Sequence, residues 1–225
     1  MSTQMDSIQI LAGHPLLTPV FDRILNRANE SIDWDSVDYP ALDEPQRLGL
    51  SWAYAVWKDV APPEEWTDPF DAFHRVSLDL RSAVLRSFAT RHGFTHFEID
   101  ADEPLHSSGT EEARESALHR IAEHSKAMAY VGPFVDRKVP IEKWSSRGWS
   151  GGQKALLSWA YSIRKAHCPP KEGWRDPFEG FSIMDSDMKA FVLKVFAEAN
   201  GFFCFEARRT KSEMEKLLKT LYPKN

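Results

Sequence analysis

Residues Leu50 to Glu98 read LSWAYAVWKDVAPPEEWTDPFDAFHRVSLDLRSAVLRSFATRHGFTHFE, and residues Leu157 to Glu206 read LSWAYSIRKAHCPPKEGWRDPFEGFSIMDSDMKAFVLKVFAEANGFFCFE. With Gly173 as one inserted residue, 23 of the 49 aligned positions are identical, where average composition gives roughly three by chance. That density predicts two copies of one structural unit. Each copy reads as helix, Asp-Pro-Phe turn, helix, strand, helix. The expected fold is mainly α with short β-strands (α+β), a tandem duplication whose two lobes share a pseudo-twofold axis.

Outside this block, Pro19-Val20-Phe21-Asp22-Arg23 matches Pro133-Phe134-Val135-Asp136-Arg137, Trp34 matches Trp144, and Thr110 matches Thr210. The Gly-Pro pair in Tyr130-Val131-Gly132-Pro133 marks a turn between the copies. Residues 1–18 then read as an N-terminal leader with a small apolar patch of Ile8, Ile10 and Leu11. Residues 19–130 form lobe 1 and residues 131–225 form lobe 2.

Periodicity supplies the elements. Leu50, Ala53, Tyr54 and Trp57 share one helical face, and Leu157, Ala160 and Tyr161 repeat it, so helices are expected over 45–58 and 152–165. Pro62-Pro63 and Pro169-Pro170 end them. Trp66 to Phe73 and Trp174 to Phe181 share the pattern Trp-x-Asp-Pro-Phe-x-x-Phe, with Asp before Pro reading as a helix cap and first helical residue. Second helices are expected over 78–92 and 186–200, opened by Ser77 and Asp185 and closed by Gly93 and Gly201. The aromatic-rich runs 94–99 and 202–207 read as strands that pair across the axis. Thr110 and Thr210 each precede a last amphipathic helix.

The net charge of -5 conceals an asymmetry. Residues 1–112 carry 8 Lys+Arg and 20 Asp+Glu, a net of -12, whereas residues 113–225 carry 20 and 13, a net of +7. Opposite charge on two matching lobes suits attraction within one chain, head-to-tail homo-oligomerisation, or an oppositely charged partner. Two cysteines, Cys168 and Cys204, are too few for a disulfide framework. The N-terminus lacks the pattern of a secretory signal, and no apolar run of about 18 residues spans a membrane. The expectation is a soluble cytoplasmic protein without membrane association.

No G-x-x-x-x-G-K-[ST], G-x-G-x-x-G or G-x-S-x-G pattern occurs in the sequence. Ser150-Gly151-Gly152-Gln153-Lys154 opens the copy-two helix, and its letters SGGQ resemble the signature loop of ABC-type ATPases. That resemblance covers this stretch alone and implies an anion held by backbone N–H groups at a helix N-terminus. His92 and His96 flank a helix end, and the spacing of His119 and His124 places them on different sides of a helix, so no metal set is expected. The repeated carboxylates Glu65/Glu172, Asp68/Asp176, Asp79/Asp187 and Glu98/Glu206 suit either a twofold acid pair sharing a cation or helix caps and first-turn positions; the caps are the simpler account.

Trp66 and Trp174 recur beside Pro turns, as core anchors or as contact points for a partner. Arg137, Lys138, Lys143, Arg147 and Lys154 form one basic patch, and Arg208, Arg209 and Lys211 a second. The expected function is a non-enzymatic interaction protein of adaptor, inhibitor or immunity type. It would bind another protein through Trp66, Trp174 and these basic residues, with no catalytic residues and no cofactor. Two alternatives stand beside it: a nucleic-acid-associated protein using the basic lobe, and an enzyme with a composite site between lobes.

Overall fold

The computed structural model describes residues 3–71, 73–94, 96–100, 109–136, 138–140, 143–144, 149–202 and 204–208. Asp43 opens the helix of the first quoted stretch, α3 (Glu44–Lys58), by a reciprocal cap: the Asp43 carboxylate accepts the N–H of Gln46 at 2.9 Å, and the Gln46 side chain accepts the N–H of Asp43 at 3.3 Å. Ser150 and Gln153 form the same box at the head of the matching helix, α7 (Gly151–Lys165), at 3.3 and 2.8 Å. Both helices end in the left-handed region, at Asp59 (φ 57°) and Ala166 (φ 51°). The Pro pairs that follow forbid another turn.

The next long helices are α4 (Leu78–Arg91) and α9 (Ser186–Ala199), capped by Ser77 and Asp185. Gly93 and Gly201 take φ of 84° and 93° beyond them. Phe94 and Phe202 then donate back to the carbonyls of Ala89 and Ala197, each at 3.1 Å. This return bond explains why the strands begin two residues later than periodicity suggests. β3 (His96–Asp100) and β4 (Cys204–Arg208) pair antiparallel, with His96 opposite Arg208, Glu98 opposite Glu206 and Asp100 opposite Cys204. The ribbon is therefore centred on two glutamates from equivalent positions. A second small ribbon joins β1 (Leu25–Asn26) to β2 (Ser31–Ile32).

The Asp-Pro-Phe segments differ. Pro177–Ile183 is a helical element, α8, whereas residues 69–71 are a turn that runs into a short 3-10 segment at Phe73–Arg75. Thr110 caps α5 (Glu111–Glu123), its hydroxyl accepting from Ala113 at 3.1 Å. The corresponding Thr210 and its helix lie outside the described residues.

Residues 3–12 contribute to the core. They form α1 (Thr3–Ala12), whose Met5, Ile8 and Leu11 are at most 1% exposed, packed on α3 and α4. α5 packs in the same way on α7 and α9. Short helices follow each of them: α2 (Thr18–Ile24) after α1, and α6 (Gly132–Asp136) after α5. The links begin alike as well. The His14 and His124 rings accept the N–H of Leu16 and Lys126, each at 3.3 Å.

One apolar core serves both runs. Trp52 is fully buried, and its ring lies 5.4 Å from Phe178 and 5.7 Å from Phe196. Phe70 lies 5.2 Å from Trp159, and Phe88 5.7 Å from it. These centroid separations suit edge-on and offset contacts between rings. Acidic and basic residues also meet within the second run: Arg164 pairs with Glu111 and Glu115 at 2.9 and 2.6 Å, and Lys126 with Asp185 at 2.8 Å. Among the described residues no helix is long and apolar enough to cross a membrane.

Candidate functional site

The loops leaving α3 and α7 build one groove. Each begins at a left-handed cap, passes through its Pro pair and reaches its Asp-Pro-Phe segment. The indole N–H of Trp52 donates to the Pro69 carbonyl at 2.6 Å, and that of Trp159 to the Pro177 carbonyl at 2.7 Å. Each loop is thereby pinned to its own helix. The aspartates then fasten the loops to each other. One Asp68 oxygen accepts the N–H of Phe70 at 2.9 Å, while the other accepts the N–H of Cys168 at 2.8 Å. One Asp176 oxygen caps α8, and the other accepts the N–H of Ala61 at 2.8 Å. Ala61 and Cys168 occupy matching positions in the quoted stretches, as do Asp68 and Asp176. The fastening is reciprocal.

This double clip forms the floor of a cavity of about 880 Å³, within the usual range of ligand clefts. Half-buried Trp66 and Trp174 line it from opposite loops, together with Tyr161 of α7. Trp66 lies flat on Tyr39, ring centroids 4.4 Å apart, and Tyr54 and Trp34 touch its other sides. Trp174 leans on Tyr161 at 4.8 Å. The Tyr39 hydroxyl accepts the Thr67 N–H at 2.7 Å and thereby holds the Trp66 loop against α3. At the mouth, exposed Lys171 and Glu64 meet at 2.6 Å; this partnership raises the lysine pKa and lowers that of the glutamate.

The polar groups in the groove are committed to structure. Burial, together with Asp68 and Asp176, pushes the Cys168 thiol far up, away from thiolate chemistry. His167 sits at the rim with Nδ1 2.8 Å from the Cys168 carbonyl and 3.3 Å from Asp68. The repeated aspartates thus act as caps and cross-links. Among the described residues no three His, Cys, Asp or Glu side chains gather as a metal set.

The structure brings Trp66 and Trp174 to one groove. Of the basic-patch residues, Lys138 and Lys143 do not line it. Lys138 and Lys143 are exposed, Arg208 ends β4, and Arg137, Arg147, Arg209 and Lys211 lie outside the described residues. Ser150 to Lys154 form the first turn of α7, where the Ser150 hydroxyl and Gln153 amide are engaged in the cap. A methyl group at Gly152 meets nothing within 4 Å, whereas one at Gly180 lies 3.0 Å from the Cα of Ala155. Gly152→Ala is therefore expected to stabilise the chain by about 0.5 kcal/mol, and Gly180→Ala to destabilise it by about 1–3 kcal/mol, as read from urea midpoints.

Sequence reasoning missed Tyr39, Tyr161, His167 and the Glu64–Lys171 pair. Each joins the groove through long-range folding, and periodicity carries no signal of it. No protein-family model, curated protein or solved structure matches this chain.

One buried polar cluster lies beside the groove's left-handed cap. Burial, aided by Lys189 and Arg91, holds His92 down to about 3 from its ordinary 6.5. Its ring packs on Phe88 and Phe181, and its Nε2 lies 4.0 Å from Asp59, which Arg91 clamps. The folded-state pKa of His92 lies below the unfolded one. Its contribution is complete above pH 6.5 and declines as pH falls toward 3, by about 2 kcal/mol between pH 6.5 and 4.5. Burial raises the Asp59 carboxyl, which gives an opposite slope: stability is lost as pH rises through its raised value. The His92→Asn variant, which matches Asn200 in the second stretch, should flatten the decline in melting temperature between pH 6.5 and 4.5.

Proposed function

We propose that this chain is a non-enzymatic interaction protein that holds a segment of a partner macromolecule between its two Trp-x-Asp-Pro-Phe loops. The observation that carries this reading is the pair of half-buried tryptophans, Trp66 and Trp174, lining one cleft from opposite loops. A half-buried tryptophan braced by tyrosine has the character of an interface hot spot. The state of the nearby polar groups supports the same reading, since the aspartates are saturated by backbone N–H groups and the thiol is suppressed.

The reading includes an ancestry. The unit is α1 to β3, residues 3–100, and its copy is α5 to β4, residues 110–208, paired about a pseudo-twofold axis between Glu98 and Glu206. Reciprocal clips, equal capping boxes and the centred ribbon register support it. Charge divergence between the copies then serves contacts within the chain, as the Glu64–Lys171 pair illustrates.

Photocross-linking in cells tests the function. Benzoylphenylalanine in place of Glu64 or Lys171, at the mouth of the groove, should give adducts of discrete mass. The same residue in place of Arg27, in the β1–β2 turn, should not. Equal labelling from all three positions contradicts the proposal.

A further inference from the structure

We infer that the groove's occupant is a proline-rich segment of a partner protein in the polyproline II conformation. This rests on the groove being a binding site, as proposed above. Three observations select that chemistry.

The first is a shortage of main-chain donors: six lining residues are prolines, and Ala61, Thr67 and Cys168 spend their N–H groups on Asp176, Tyr39 and Asp68. The prolines are Pro62, Pro63, Pro69, Pro169, Pro170 and Pro177, none of which has an N–H. A strand seeking a sheet edge finds no ladder here. The second is the state of the indoles. Trp52, Trp144 and Trp159 each donate to a backbone carbonyl. Trp66 and Trp174 have ring contacts but no acceptor for Nε1 among the described residues. Two indole donors without a protein acceptor suit a ligand rich in acceptors. A polyproline II chain has no internal hydrogen bonds, so its carbonyls are free to accept, and its pyrrolidine rings lie well on flat aromatic faces. An α-helix consumes its own carbonyls and would leave both indoles unmet.

The third observation is charge. Within the lining Glu64 is paired with Lys171 and Arg175 with Glu179, which leaves Asp68 and Asp176 as negative charge met only by backbone N–H groups and, at Asp68, by the rim His167. A basic residue flanking the prolines complements that charge. The near-symmetric placement of the two tryptophans also suits an extended helix that presents similar carbonyl rows in either chain direction.

Panning the full chain against a phage-displayed random dodecapeptide library tests the inference. Enriched clones should carry several prolines with an adjacent Arg or Lys. Trp66→Phe and Trp174→Phe, which keep a ring and remove the N–H, should each weaken the corresponding synthetic peptides by about fivefold, with melting temperatures confirming that the variants fold. Enriched peptides without proline that still respond to these substitutions, or to Trp66→Ala and Trp174→Ala, overturn the inference and leave the groove as a binding site. No enrichment, or binding indifferent to all four variants, overturns both.

Discussion

Truncating either Trp52 or Trp159 to alanine should destabilise the whole chain by about 4 kcal/mol, within the range for large aromatic side chains in packed cores. Both indoles are fully buried. Each ring also touches residues of the other run: Trp52 meets Phe178 and Phe196, and Trp159 meets Phe70 and Phe88. Each truncation further deprives a buried carbonyl, of Pro69 or Pro177, of its donor. Against a total stability of about 5–15 kcal/mol, such a loss is large. With a urea dependence near ~3 kcal/mol per molar, the midpoint should fall by about 1.3 M. The two variants should behave alike, because their surroundings are equivalent. A loss below about 1 kcal/mol in either would contradict the shared core.

The second large effect is expected at the clip. Asp176→Ala removes the cap of α8 and the acceptor of the Ala61 N–H; Asp68→Ala removes the acceptor of the Cys168 N–H together with a local turn bond. A lost cap costs about 1 kcal/mol, and a stranded, partly buried N–H about 1–3 kcal/mol. Each variant should therefore lose about 3 kcal/mol, which corresponds to a fall in melting temperature of roughly 6–12 °C for a chain of this size. The groove should suffer with it, since these bonds join the two loops. Differential scanning calorimetry reads the first effect, and loss of peptide binding the second. If either aspartate can be replaced at no cost, the clip has no structural weight.

Much of this architecture was legible in the residues. The i, i+3, i+4 spacing from Leu50 to Trp57 and its repeat located α3 and α7 to within a residue, because burial of one face fixes that period. Gly93 and Gly201 marked helix ends because only glycine accepts their positive φ without strain. Ser150 to Gln153 shows one stretch that carries two readings. The stretch resembles a phosphate loop, yet its Ser-x-x-Gln spacing is that of a capping box, and Asp43 to Gln46 holds the same box in the first stretch.

The role of α1 was hidden for another reason. Its likeness to α5 rests on Leu11-Ala12-x-His14 against Ile121-Ala122-x-His124, and the links that follow differ in length. The groove was hidden most deeply. Trp66 and Trp174 stood out as repeated, but their meeting depends on hydrogen bonds that span 100 and 115 residues, Cys168 to Asp68 and Ala61 to Asp176. Nothing local encodes those. Tyr39, which steadies Trp66, sits in a short segment without periodicity.

Unfolding followed separately in the two runs probes the architecture most directly. Hydrogen exchange pulses at graded urea, read by mass spectrometry on peptides from α4 and from α9, would report each run's midpoint. A single core made by both runs predicts coincident midpoints and equal shifts in Trp52→Ala and Trp159→Ala. Two separated transitions, with each substitution moving one alone, would show two independent lobes and contradict the account.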